Sequence, residues 1–314
     1  MREPTMVPEP EFESYYGKQI IKTPTWKSPD VPLYLFLGGL AGASALLAEG
    51  AALSDRPALE RVARGAAAGG AAVGTAALVH DLGRPERFLN MLRVFKVTSP
   101  LSVGSFILAP FAGLSGAAFA SQLTGRLPRL GRLAGAGAAA LGPPLATYTA
   151  ALISNTAVPA WHEAHRELPF VFGGSGAAAA GGLAMMLVPS AQNGPARRMA
   201  LAGAAVDLAA AQLLERRLGM VGEPYQQGRP GLMMKAARAM TAGSAALSVV
   251  GGRSRVVSAV AGASYLAASL LTRFGVFEAG IASAKDPKYT VVPQRERLAA
   301  RGSAKVEQPS AARA

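Results

Sequence analysis

Apolar stretches of roughly twenty residues alternate with short polar connections along most of the chain, which is the length a helix needs to cross the hydrocarbon of a bilayer. Eight such stretches are expected to be transmembrane helices, at about 31–53, 61–81, 99–122, 132–154, 168–189, 196–215, 231–251 and 255–278. Prolines mark starts, as in Val31-Pro32 and Thr98-Ser99-Pro100, because the missing N–H is no loss in a first turn. Pro143-Pro144 falls inside the fourth stretch and predicts a kink. The sixth and seventh are the most polar, since they carry Asp207, Lys235 and Arg238. A polar arm (1–30) precedes this 31–278 domain, and a polar, basic tail (279–314) follows it. The expected fold is all-α and polytopic.

Composition agrees. Half the residues are hydrophobic and only 16% are charged, against about 25% in soluble domains. An Ala/Gly-rich soluble helical protein is the alternative, but the charges here are clustered rather than spread. The 36 glycines suit close helix packing in lipid. A net charge of +13 fits Lys and Arg flanking the spans and meeting anionic headgroups; no basic run is interleaved with aromatics, so nucleic acid is not an expected partner. The absence of cysteine excludes disulfides, thiol catalysis and a Cys-ligated zinc or iron–sulfur centre in this chain. The first thirty residues lack the apolar core of a signal peptide. With Tyr15, Tyr16 and Trp26, the arm is either a disordered tail or a strip along the membrane surface or a partner. An even number of spans puts both ends on one side. The long, chemically rich loops fall on that side too, as do the basic residues from Arg273 onward; orientation is left open.

Candidate chemistry concentrates at His80-Asp81-Leu82-Gly83-Arg84-Pro85-Glu86-Arg87-Phe88, where a small-residue apolar run meets a polar loop. Asp81 either holds Arg84 and Arg87 or works with His80 on protons released or consumed when a quinol or quinone reacts. The other histidines, His162 and His165, are three apart beside Trp161 and Glu163. They share one face and cannot bracket a haem. They suggest a weak metal site or, better, interfacial residues meeting a partner or headgroups. Tyr148 follows the Pro-Pro pair and is either an interface-belt tyrosine or a hydroxyl able to bond a quinone carbonyl. Glu49 and Asp207 are acids inside spans, which are expensive and often mark proton paths; Arg238 is a candidate partner for Asp207.

The blocks Leu35-Phe36-Leu37-Gly38-Gly39-Leu40-Ala41-Gly42, Asp81-Leu82-Gly83-Arg84-Pro85-Glu86-Arg87-Phe88, Thr98-Ser99-Pro100-Leu101-Ser102-Val103-Gly104-Ser105 and Tyr148-Thr149-Ala150-Ala151-Leu152 resemble, in order, the NrfD/PsrC family. These are the polysulphide reductase-like membrane subunits of molybdopterin oxidoreductases. The resemblance implies eight helices in two four-helix bundles, no haem, and a quinone (menaquinone or ubiquinone) bound near the face that meets a ferredoxin-like iron–sulfur subunit. Tyr148 matches the family's quinone-contacting tyrosine. The polar residues that some members place early in the first helix are absent here except for Tyr34, which leaves His80 and Asp81 as the polar neighbours. The implied role is that of a quinone-binding anchor in the bacterial inner membrane, without catalysis of its own, serving a molybdopterin subunit such as a polysulphide reductase or a formate dehydrogenase. Arg84, Arg87, Trp161, His162 and His165 would brace loops or meet the partner, and Glu49 and Asp207 would line a proton path. The rival readings are a transporter or proton channel built on those two acids, and a purely structural anchor.

Overall fold

A computed structural model describes residues 19–84, 86–251 and 254–306, with side chains to residue 299; Tyr15, Tyr16 and Arg253 lie outside these. The described residues are helices and connections, with no strand among them. In chain order they are α1 (Asp30–Leu53), α2 (Pro57–Asp81), α3 (Glu86–Met91), α4 (Pro100–Thr124), α5 (Pro128–Ser154), α6 (Pro159–Glu163), α7 (Leu168–Leu187), α8 (Gly194–Leu218), α9 (Gly228–Val250), α10 (Arg255–Lys285) and α11 (Lys288–Val306). A 3-10 helix, Gly219–Tyr225, joins α8 to α9.

Each expected stretch is a helix. Proline occupies the first turn of α2, α4, α5, α6, α7 and α8. The Ser99 and Ser254 hydroxyls accept from backbone N–H groups at the starts of α4 and α10, satisfying donors that a first turn leaves open. Six helices, α1, α2, α4, α5, α7 and α10, are long and apolar enough to cross a membrane. α8 and α9 are long enough, but their charges leave them below that mark.

α1 and α4 each pack on both α2 and α5, which closes one ring of four helices. α7 and α9 each pack on both α8 and α10, which closes another. α1 and α5 join the rings by packing on α7. Small residues set the crossings. A Cβ on Gly42 would stand 3.1 Å from the Ala146 nitrogen and overlap the Gly142 carbonyl, so glycine lets α1 and α5 touch backbone to backbone. α5 runs unbroken through Pro143-Pro144. Neighbours within each ring are antiparallel, while α1 and α7 run parallel where the rings join, so one face gathers the starts of α1, α4, α7 and α9 and the ends of α2, α5, α8 and α10. The arm and α11 lie there, and we call it the terminal face.

Of the polar tail expected from 279, the described residues to 306 are largely helical. α10 continues to Lys285 because Ala279, Gly280, Ser283 and Ala284 are buried, and α11 follows. Gly280 leaves the space into which the Trp161 ring packs, and the Ser283 hydroxyl accepts from the Ala160 N–H at 3.2 Å.

Candidate functional site

Tyr148 sits near the end of α5, half-buried among the core side chains of the first ring. Gly104, in the second turn of α4, has no side chain where the tyrosine ring packs: a Cβ there would overlap it. Thr149 turns toward α1, its Cγ2 3.8 Å from a Cβ placed on Gly38. The Tyr148 hydroxyl makes no hydrogen bond among the described residues. Tyr34, one turn into α1, is 3% exposed and lies against α2 near Gly74; its hydroxyl also lacks a partner among the described residues. Two tyrosine hydroxyls are therefore unused at the terminal end of one apolar ring.

The His80 junction closes over the same end. The His80 Nδ1 lies 2.7 Å from Asp30 Oδ2, with the imidazole 75% exposed. Asp81 Oδ1 accepts from the Lys27 N–H at 2.9 Å. Neighbouring residues at the end of α2 thus tie down the entrance to α1 and the arm before it. Asp81 does not hold Arg84 or Arg87, because its carboxylate faces the arm; both arginines are exposed and make no side-chain bond among the described residues.

The second ring is closed at this face. Trp161 is fully buried, stacked on Trp26 at 5.6 Å, and its Nε1–H donates to the Val276 carbonyl at 2.8 Å. Of the two roles expected for it, bracing and partner contact, its burial in the space at Gly280 matches the brace. The Tyr225 hydroxyl donates to the Ala160 carbonyl at 3.0 Å; burial, then the Glu167 charge, pushes its phenol up. Arg217 pairs with Glu167 at 2.5 Å and also donates to the Glu163 carbonyl. His162 and His165 are exposed, each Nδ1 near a backbone carbonyl (Ser154 at 3.1 Å, His162 at 2.9 Å). No group of three His, Cys, Asp or Glu able to hold a metal occurs among the described residues. Lys288 and the Tyr289 hydroxyl both bond Glu223, which holds its carboxyl below the ordinary 4.5, the Lys288 bond being the larger cause.

Glu49 and Asp207 are not where Tyr148 is. Glu49 is fifteen residues past Tyr34 on α1, about 22 Å at 1.5 Å per residue. There it lies next to Arg64 across Gly135, and Arg64 pairs with Glu60 at 2.8 Å. Asp207 is buried between α8 and α7, where a Cβ on Gly174 would meet its backbone nitrogen at 2.6 Å. Arg238 is not its ion-pair partner: it binds Glu215 at 2.6 Å, because both reach outward toward the terminal face.

The cation that does lie deep is Arg273, which sequence reasoning placed among the flanking basics. It is fully buried between α1, α7 and α10. It donates to the Leu35 carbonyl (3.2 Å), the Phe172 carbonyl (2.7 Å) and the Ser175 hydroxyl (2.8 Å), and lies 3.8 Å over the Phe172 ring. A Cβ on Gly39 would come within 2.9 Å of its Nη2. Gly39 and Gly176 meet at the helix crossing that leaves Arg273 room, a long-range contact with no local mark in the sequence.

A family model described as polysulphide reductase, NrfD, matches residues 22–199, more than half of the chain. The match begins in the arm, includes Tyr34, His80, Asp81 and Tyr148, and runs into α8. The chain belongs to the polysulphide reductase NrfD family. No curated protein matches it. With six apolar spans in the described residues, the NrfD assignment makes this a multi-pass membrane protein, of the kind that serves as a membrane subunit in molybdopterin oxidoreductase complexes. Arg273 and most of the second ring lie beyond the matched residues.

Proposed function

We propose that this chain binds a quinone or quinol at the terminal end of its first ring and exchanges electrons between the membrane quinone pool and an iron–sulfur partner subunit, itself joined to a molybdopterin subunit. In this reading all eight long helices cross a bacterial inner membrane as two four-helix bundles; the closed rings of contacts support it. The observation that carries the site is Tyr148, a half-buried residue in an apolar wall whose hydroxyl has no partner among the described residues. Polar groups in such places are normally paired, so a carbonyl from a ligand is the natural acceptor.

The quinone supplies two-electron, two-proton redox chemistry. The chain's own residues do the rest. Tyr148 donates to one carbonyl and orients the ring, and Tyr34 lines the α1 side. The His80–Asp30 pair, exposed at the face, accepts or returns a proton, while Asp81 keeps the arm in place. His162 and His165 lie on the face that the partner would cover.

The quinone retained by the purified chain tests this directly. Extracted quinone should fall about tenfold for Tyr148→Phe, the loss of one hydrogen bond of ordinary strength. Retention equal to the parent's would remove Tyr148 from the site.

A further inference from the structure

The connection between α2 and α4 exposes what a soluble surface hides. α3 buries none of its residues. Leu89, Val94, Phe95 and Val97 are 68%, 72%, 54% and 75% exposed. Interleaved with them are Arg84, Arg87, Arg93 and Lys96, all exposed, against a single acid, Glu86. None of the four cations has an ion pair among the described residues.

This segment is fastened in place. The Ser102 hydroxyl accepts from the Lys96 N–H and donates to the Val94 carbonyl, each at 3.0 Å. The Ser105 hydroxyl reaches the Met91 carbonyl at 3.3 Å. The first turns of α4 therefore hold residues 91–96 along the outside of the helix. Phe95 packs edge-on against Phe106, ring centroids 5.0 Å apart. Phe106 is six residues into α4, about 9 Å below its start, so Phe95 reaches down beside the apolar span.

We propose that the α2–α4 connection is an anionic-phospholipid site in the membrane interface. Arg84, Arg87, Arg93 and Lys96 meet headgroup phosphates, and Leu89, Val94, Phe95 and Val97 enter the upper acyl region. Basic and apolar side chains mixed at headgroup depth are the chemistry of interfacial segments. Two features favour lipid over a docked protein. Phe95 lies at span depth, where a water-soluble partner does not reach, and the exposed apolar surface continues into α4 at Leu101, 41% exposed. This assignment stands apart from the quinone reading, since it uses neither Tyr148 nor His80.

The chain has no cysteine, so Val97→Cys gives one nitroxide site. The full chain is reconstituted in phosphatidylcholine vesicles with and without phosphatidylglycerol. The label should collide with oxygen in preference to a water-soluble nickel chelate, and more so with phosphatidylglycerol present. Adding Arg84→Gln, Arg87→Gln, Arg93→Gln and Lys96→Gln together should abolish the phosphatidylglycerol effect while helix content by circular dichroism stays unchanged. A label open to nickel in both vesicles, or one indifferent to phosphatidylglycerol, overturns the proposal. A label shielded only when the iron–sulfur subunit is added also overturns it, by assigning the segment to a protein partner.

Discussion

The two rings meet the terminal face in opposite ways. In the second ring nearly every polar group there is spent on the fold: Trp161 on Val276, Tyr225 on Ala160, Arg217 on Glu167, Lys288 on Glu223. In the first ring the Tyr148 and Tyr34 hydroxyls have no partner among the described residues, in an apolar wall beneath a junction pinned by His80 and Asp81. A saturated region is a scaffold, and a region with spare, pre-positioned donors is where a ligand gains most. The difference supports the proposed site more than any single residue does, because both rings are built on the same small-residue packing.

Substitutions should divide along the same line. The largest effect is expected at the joint between the rings. Arg273→Ala removes three hydrogen bonds and a buried cation, and should cost about 3–5 kcal/mol, read as loss of folded protein in detergent thermal unfolding; near-parental stability would mean that the joint is not what holds the rings. Trp161→Ala belongs to the same class, about 3–5 kcal/mol for an emptied tryptophan site. Tyr225→Phe should cost about 1 kcal/mol and leave retained quinone unchanged, the reverse of Tyr148→Phe. At the junction, Asp81→Ala releases the Lys27 N–H. Faster proteolysis within residues 19–27, with spectroscopic helix content unaltered, is the expected sign.

The smallest effect is on pH. Glu223 is held below its ordinary 4.5 by Lys288, and Lys288 is held above its ordinary 10.5, chiefly by the Glu223 bond. The contribution of Glu223 is present above pH 4.5 and lost as pH falls through its depressed folded value. That of Lys288 is present below pH 10.5 and lost as pH rises through its elevated one. Hydrogen-exchange protection in α11, taken relative to the intrinsic rate at each pH, should therefore fall at both extremes and be flat between them; Glu223→Gln should flatten the acid limb.

The helices were readable because proline starts and twenty-residue apolar runs are local signals. The matching of residues 22–199 to the NrfD family upholds the resemblance read from the Asp81–Phe88 and Thr98–Ser105 blocks. What sequence could not show was partnership. Asp207 and Arg238 share a plausible depth, yet Arg238 finds Glu215. Trp161 in a polar loop reads as interfacial, yet Gly280, more than a hundred residues away, makes room to bury it. Arg273 near a span end reads as a flanking cation, yet helix packing carries it inside. Each of these turns on a long-range contact, whereas Tyr148 was singled out from a local block and its role in the site is the proposal.

The central claim is that Tyr148 serves a ligand and not the fold. Its most direct test is quinone-coupled turnover of the assembled complex carrying Tyr148→Phe, with subunit composition measured on the same membranes. Turnover should fall about tenfold or more while assembly stays at parental levels; parental turnover in an intact complex would contradict the account.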